Sequence, residues 1–133
     1  MSSIRFGYTI VYVPDVRAAL AFYTGAFGFE PGFVTPDGSY GELATGETTL
    51  AFASEALGAS HFDQGFQRHA LAAPPLGTEL AFVTDNVEAT VASAIDAGAH
   101  LLVAAEVKPW GQTVAWVRDP QGVLIEICTA VGG

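Results

Sequence analysis

Two acids stand out among the residues able to do chemistry. Glu79 opens the apolar run Leu80-Ala81-Phe82-Val83, and Glu126 lies inside Leu124-Ile125-Glu126-Ile127-Cys128. Alternation along a strand puts Glu79 on the same face as Ala81, and Glu126 on the same face as Leu124. If the two carboxylates meet, burial and mutual repulsion raise the apparent pKa of the pair, so that one holds a proton near neutrality. Such a pair suits general acid–base work, and it equally suits a cationic or hydrogen-bond-donating ligand. Arg5, Lys108 and Arg118 are the cations available to tie up one or both acids as structural pairs. No nucleophile constellation adds to the acids, and no catalytic residue is assigned. Cys128, the single cysteine, reads as an inert core thiol. His61 and His69 fall in an irregular segment and His100 opens a strand, so each reads as a loop or surface histidine rather than a metal ligand.

The second resource is aromatic. Tyr8, Phe33, Tyr40, Phe52, Phe62, Phe66, Trp110 and Trp116 are the candidates for a ligand-binding surface, with core packing the competing role for each. Trp110 has the least structural reason for its place, because Lys108-Pro109-Trp110-Gly111-Gln112 reads as a turn. Tyr8, Ile10 and Tyr12 share one face, as do Thr49, Ala51 and Ala53. Trp116 shares a face with Val114, but alternation alone does not fix which face that is.

Composition bounds the function. The chain has 133 residues, enough for one domain with a real core. Fourteen acidic against five basic residues give a net charge of −9. That disfavours nucleic acid, whose phosphates need clustered Lys and Arg. It would attract a cationic ligand, or it serves only to keep the domain in solution. No apolar run approaches the roughly 20 residues of a membrane span. The opening Met1-Ser2-Ser3-Ile4-Arg5 lacks a secretion-signal pattern. One cysteine precludes an intrachain disulfide and suits a reducing compartment, so a cytoplasmic location is expected.

The elements that must position these residues come in two similar halves. Tyr8–Val13 reads as a strand that ends at Pro14 and hands over to a helix over 16–27, capped by Asp15 and stopped by Gly28. Val16, Ala19, Leu20, Tyr23 and Phe27 form its apolar stripe. Leu80–Val83 repeats the strand. Asp85 and Glu88 fit a capping box before a helix that carries Val87, Val91, Ala94 and Ile95 inward and ends at Gly98. Placing Tyr8 on Glu79 aligns Val16 with Val87. Strands are expected at about 30–35, 40–44 and 48–53 in the first half, and at about 100–107, 113–118 and 124–128 in the second. Pro36-Asp37-Gly38, Thr45-Gly46 and Asp119-Pro120-Gln121-Gly122 supply turns. The reading is one α+β domain of two tandem βαβββ modules forming a curved mixed-sheet cup with helices outside. Module one spans about 5–53 and module two about 77–128. The connection over 54–76 is irregular, and its stretch 61–69 is expected to form a flap over the cup.

On these residues the chain resembles the vicinal-oxygen-chelate superfamily, which includes glyoxalase I, extradiol dioxygenases, fosfomycin-resistance enzymes and bleomycin-binding proteins. Val13-Pro14-Asp15-Val16 leading to Phe22-Tyr23 and Phe27-Gly28-Phe29-Glu30 carries the resemblance, and Val117-Arg118-Asp119-Pro120-Gln121-Gly122 leading to Leu124-Ile125-Glu126-Ile127 carries it again. The resemblance implies four facing ligand positions, which in metal-dependent members are His, Glu or Gln, His and Glu. Here they fall on Tyr8, Ala51, Glu79 and Glu126. Catalytic transition-metal sites usually draw three ligands from His, Cys and carboxylate, so no metal or other cofactor is expected. If any metal binds, Glu79 and Glu126 are its ligands.

Two functions follow. The first resembles bleomycin-type resistance proteins: a metal-free homodimer sequestering a bulky aromatic or cationic antibiotic-like ligand. The second is a glyoxalase-like lyase, isomerase or transferase using a divalent metal or the Glu79/Glu126 pair. Acidity, missing ligands and aromatic supply favour binding over catalysis.

Overall fold

The computed structural model describes residues 2–132. The first βαβββ set consists of β1 (Tyr8–Val13), α1 (Val16–Phe27), β2 (Pro31–Val34), β3 (Tyr40–Leu43) and β4 (Thr49–Ser54). A short helix α2 (Glu55–His61) follows. The second set is β5 (Leu80–Val83), α3 (Val87–Asp96), β6 (His100–Val107), β7 (Thr113–Arg118) and β8 (Leu124–Cys128). Each set forms its own four-stranded mixed sheet, in the orders β1-β4-β3-β2 and β5-β8-β7-β6. The α+β class and the tandem βαβββ modules are therefore as the sequence predicts.

The two sheets share one register. β1 pairs parallel to β4 with Ile10 opposite Ala51, and β5 pairs parallel to β8 with Ala81 opposite Glu126. The remaining contacts in each sheet are antiparallel. Backbone contacts divide the chain into two compact units. One runs to residue 68 without 25–27, and the other takes 25–27 together with 69 onward.

In the first unit, α1 starts where Asp15 accepts a hydrogen bond from the Ala18 amide at 3.0 Å. It ends at Gly28, whose φ of 78° suits a residue without Cβ. Val16, Ala19, Leu20 and Tyr23 are buried on its inner stripe. They pack on the face of the sheet carrying Val11, Val13, Leu43 and Phe52. The rings of Tyr23 and Phe52 lie 4.9 Å apart. The other face carries Tyr8 and Ile10, both exposed, and Tyr12, which Phe62 and Phe66 cover.

α2 departs from the expected irregular connection. It is only seven residues long, contains Gly58, and is capped by Ser54 accepting from the Leu57 amide. So short a helix has no room for an apolar periodicity to show.

In the second unit, α3 packs across β6, β7 and β8. Its N-cap is Asn86, which accepts from the Ala89 amide at 3.0 Å, and not Asp85. The capping box is therefore not formed: with Asn86 as N-cap the third helical position is Ala89, which has no side chain to reach back. Val87 and Ala94 are buried as expected, but Ile95 is 42% exposed and turns away from the core. Ile125, Ile127, Val117 and Ala115 are fully buried between sheet and helix.

The turn before β8 is built around two buried polar residues. Asp119 accepts from the Gln121 and Val123 amides at 2.8 and 3.0 Å. Arg118 donates from Nη1 to the Ala73 carbonyl at 2.7 Å. Its Nη2 reaches the Ala70 and Gly122 carbonyls, both at 2.9 Å, and its Nε reaches Gly122 again. One guanidinium therefore ties the segment around 70–73 to the turn. Gly122 fits only as glycine: its φ is 98°, and a Cβ there would lie 2.8 Å from the Ala70 backbone.

Candidate functional site

Each module presents its own set of polar and aromatic side chains on the sheet face away from its helix. In module two, the pairing of β7 with β8 sets Trp116 opposite Glu126. This settles what alternation left open, because Trp116 shares the face of the glutamate. The row reads Ala81, Glu126, Trp116, Val103 across the four strands. Trp116 Nε1 donates to Glu79 Oε2 at 3.4 Å. The Glu79 and Glu126 carboxyls are neighbours on this face. Partial burial first, and then the adjoining Glu126 carboxyl, hold the Glu79 pKa above its ordinary value, while the indole N–H pulls the other way.

The cations are spent elsewhere. Lys108 pairs with Glu106, and Arg118 bonds carbonyl oxygens. Among the described residues neither Glu79 nor Glu126 has an ion-pair partner. The structural pairing by Arg5, Lys108 or Arg118 is thus not what the structure shows.

Cys128 lies next to this group. It is opposite Val83 and Val114, and its thiol is 3% exposed as a residue. Burial, then the hydrogen bond and charge of Glu126, push it up to about 11. That suits the inert role expected of it. Gln112 joins the hairpin to β8: its Nε2 donates to the Thr129 carbonyl at 2.8 Å, and its Oε1 accepts from Trp110 Nε1 at 2.8 Å. Trp110 is 61% exposed on the β6–β7 turn, held by that single bond. Gln112 was missed because an amide in a turn carries no sequence signal of its own.

In module one, Tyr8 and Phe33 are 55% and 60% exposed, and Phe33 lies 6.4 Å from Tyr40 between ring centres. Tyr40 donates its hydroxyl to Glu42 Oε2 at 2.7 Å. Burial and that bond push the Tyr40 phenol well above its ordinary value. Glu42 is a site residue that the sequence reasoning missed. It lies opposite Ala51, so alternation within Tyr40-Gly41-Glu42-Leu43 would have found it. Phe62 and Phe66 gather on Tyr12, at 6.0 and 5.2 Å, beside α2. Arg68 caps Phe66 at 5.3 Å and pairs with Glu55. Phe52 needs correction: it is fully buried on α1, because it alternates with Ala51 and Ala53, which point to the opposite face of the sheet.

The donor set does not fit a catalytic transition metal. Of the four positions, Ala51 offers no donor atom, Tyr8 is a phenol, and only the two glutamates supply carboxylates. Among the described residues no three His, Cys, Asp or Glu side chains converge as a metal group. No helix there is long and apolar enough to cross a membrane.

Comparison with known proteins gives the same fold. A glyoxalase/bleomycin resistance protein/dioxygenase family enzyme from Burkholderia phytofirmans superposes with a TM-score of 0.81 at 25% identity, covering 95% of this chain and 98% of that one. A glyoxalase-related enzyme from Fulvimarina pelagi gives 0.78 at 24% identity, over 95% and 88%. TioX from Micromonospora gives 0.69 at 18%, over 94% and 98%. No curated protein matches in sequence. A family model matches residues 5–127, nearly the whole chain. The chain belongs to the glyoxalase/bleomycin resistance protein/dioxygenase superfamily.

Proposed function

We propose that this protein binds a small molecule without a metal, sequestering a bulky aromatic or cationic antibiotic-like ligand and so conferring drug resistance. The observation that carries this reading is the Glu79–Glu126 pair: two neighbouring carboxyls edged by Trp116, with no ion-pair partner among the described residues. A cation arriving there gains two carboxylate oxygens and an aromatic neighbour. The net charge of −9 draws it in. We further propose that the protein acts in the cytoplasm as a homodimer.

Aromatic cationic antibiotics should raise the melting temperature, as any ligand of the native state must. A broad panel with no shift would sink the reading. Protein purified without chelator should carry no stoichiometric transition metal. Near one Ni, Zn or Fe per chain by elemental analysis would overturn that part.

The second reading is an enzyme of the same superfamily using the pair, and the raised Glu79 pKa favours it. A carboxyl that holds its proton more tightly than usual is better suited to act as a general acid. Glu79→Gln separates the two. A binder loses affinity for cations, whereas an enzyme loses turnover with binding largely intact.

A further inference from the structure

Lys108 is unusual among the surface cations. It sits at the start of the β6–β7 turn, where its amide donates to the Gln112 carbonyl and its carbonyl accepts from the Gly111 amide, both at 2.8 Å. The backbone is therefore fixed. Its side chain is only 22% exposed, whereas a lysine normally keeps its head in water. The Lys108 ammonium instead lies 5.4 Å from the centre of the Trp116 ring, within the range of cation–π attraction. Glu106, itself 54% exposed, pairs with it. So a cation already rests on the indole whose N–H points at Glu79.

From this juxtaposition we infer that Lys108, pinned by Glu106, is a built-in occupant of the cation position on Trp116, and that the ligand is a flat aromatic monocation, an ammonium or amidinium, that displaces it. The inference rests on the binding reading above and deepens it. A flat ring takes the indole face that the lysine stem vacates. Its charge then points toward the Glu79–Glu126 pair, which has no counter-ion of its own. Lys108 acts as a gate: it charges every ligand the loss of one cation–π contact and its hold on Glu106. A neutral aromatic does not recover that loss, because it brings no charge to the carboxyls.

The test is a titration of ¹⁵N-labelled protein with benzamidinium and with benzamide, its neutral counterpart, following the indole N–H of Trp116. Lys108→Ala should tighten benzamidinium binding by about three- to tenfold, the range of one cation–π contact. Glu106→Gln should also tighten it, by unpinning the lysine. Bulk electrostatics predicts the reverse sign, since that change removes a negative charge near a cation. In the Lys108→Ala background, Glu106→Gln should bring no gain. Benzamide should bind more weakly than benzamidinium to every form. Weaker benzamidinium binding by Glu106→Gln, or no gain from Lys108→Ala, overturns the gate while leaving the binding reading standing. If benzamidinium moves Trp116 in none of the four forms, the binding reading falls, and the gate with it.

Discussion

Replacing Arg118 by Met keeps the apolar stem and removes the guanidinium. The structure sets the size of the effect. Four hydrogen bonds run from the guanidinium to three carbonyls, on Ala70, Ala73 and Gly122. A hydrogen bond involving a charged group contributes about 1.5–3 kcal/mol. Counting each carbonyl once gives a gross loss of roughly 4.5–9 kcal/mol. Against this, the buried cation no longer has to be desolvated, which returns several kcal/mol. The net expectation is a loss of about 3 kcal/mol, or about 10 °C in melting temperature for a domain of this size. Urea unfolding followed by circular dichroism measures the first number and a thermal scan the second. Amide exchange adds a local readout, since residues around 70–73 should exchange much faster in the variant. Arg118→Lys should recover only part of the loss, because an ammonium cannot span three acceptors in a plane. The reasoning fails if Arg118→Met costs under about 1 kcal/mol, or if exchange around 70–73 is unchanged. Ligand affinity should survive in the folded variant, because this guanidinium is spent on backbone and not on Glu79 or Glu126.

Three other outcomes are expected. Glu79 has a folded pKa above its unfolded value, so the native state holds the extra proton as pH rises past about 4.5, the ordinary value; stability contributed by this group therefore falls with rising pH from there up to the folded pKa. Glu79→Gln should remove that decline, being more stable than the parent at neutral pH and indistinguishable from it below pH 4; parallel pH profiles of the two proteins would refute the raised Glu79 pKa. Cys128, buried and pushed up to about 11, should resist iodoacetamide in the native protein at pH 8 and react once unfolded in urea; rapid native alkylation would contradict its placement. Phe52→Ala should cost about 3–5 kcal/mol by leaving a cavity beside Tyr23, whereas Phe33→Ala, at an exposed ring, should cost under 1 kcal/mol in stability; similar losses at both positions would put them on the same face.

Much of the fold was legible because its signals are local and periodic. The bounds of α1 follow from Asp15, the apolar stripe and Gly28, each a separate physical cue at one site. The equivalence of Tyr8 with Glu79 emerged from aligning the halves, and the matching registers of Ile10–Ala51 and Ala81–Glu126 agree with it. What stayed hidden depends on neighbours distant in sequence. Trp116 could not be assigned a face until β8 supplied Glu126 opposite it. Lys108 carries no mark in sequence of resting on an indole eight residues away. α2 escaped because seven residues around Gly58 are too few for a period. Phe52 is a different lapse. Its aromatic character outweighed an alternation that already put Ala51 and Ala53 on the other face.

The two modules use one backbone register for different electrostatics. In module two, Glu126 at the β8 position faces a second acid, Glu79, whose pKa its presence helps to raise. In module one the equivalent position is Ala51, and the carboxylate stands one strand across at Glu42. There the partner is the Tyr40 phenol, which brings its own proton. Glu42 Oε2 thus has a hydroxyl donor from its own strand. The carboxylate of module one has a hydroxyl donor beside it, whereas Glu79 in module two has a second carboxyl. A cation binding at the second module relieves the crowding of two acids, whereas one binding at the first must compete with a phenol. The difference lies in which side chain faces the carboxylate, since the strands beneath are paired in the same way.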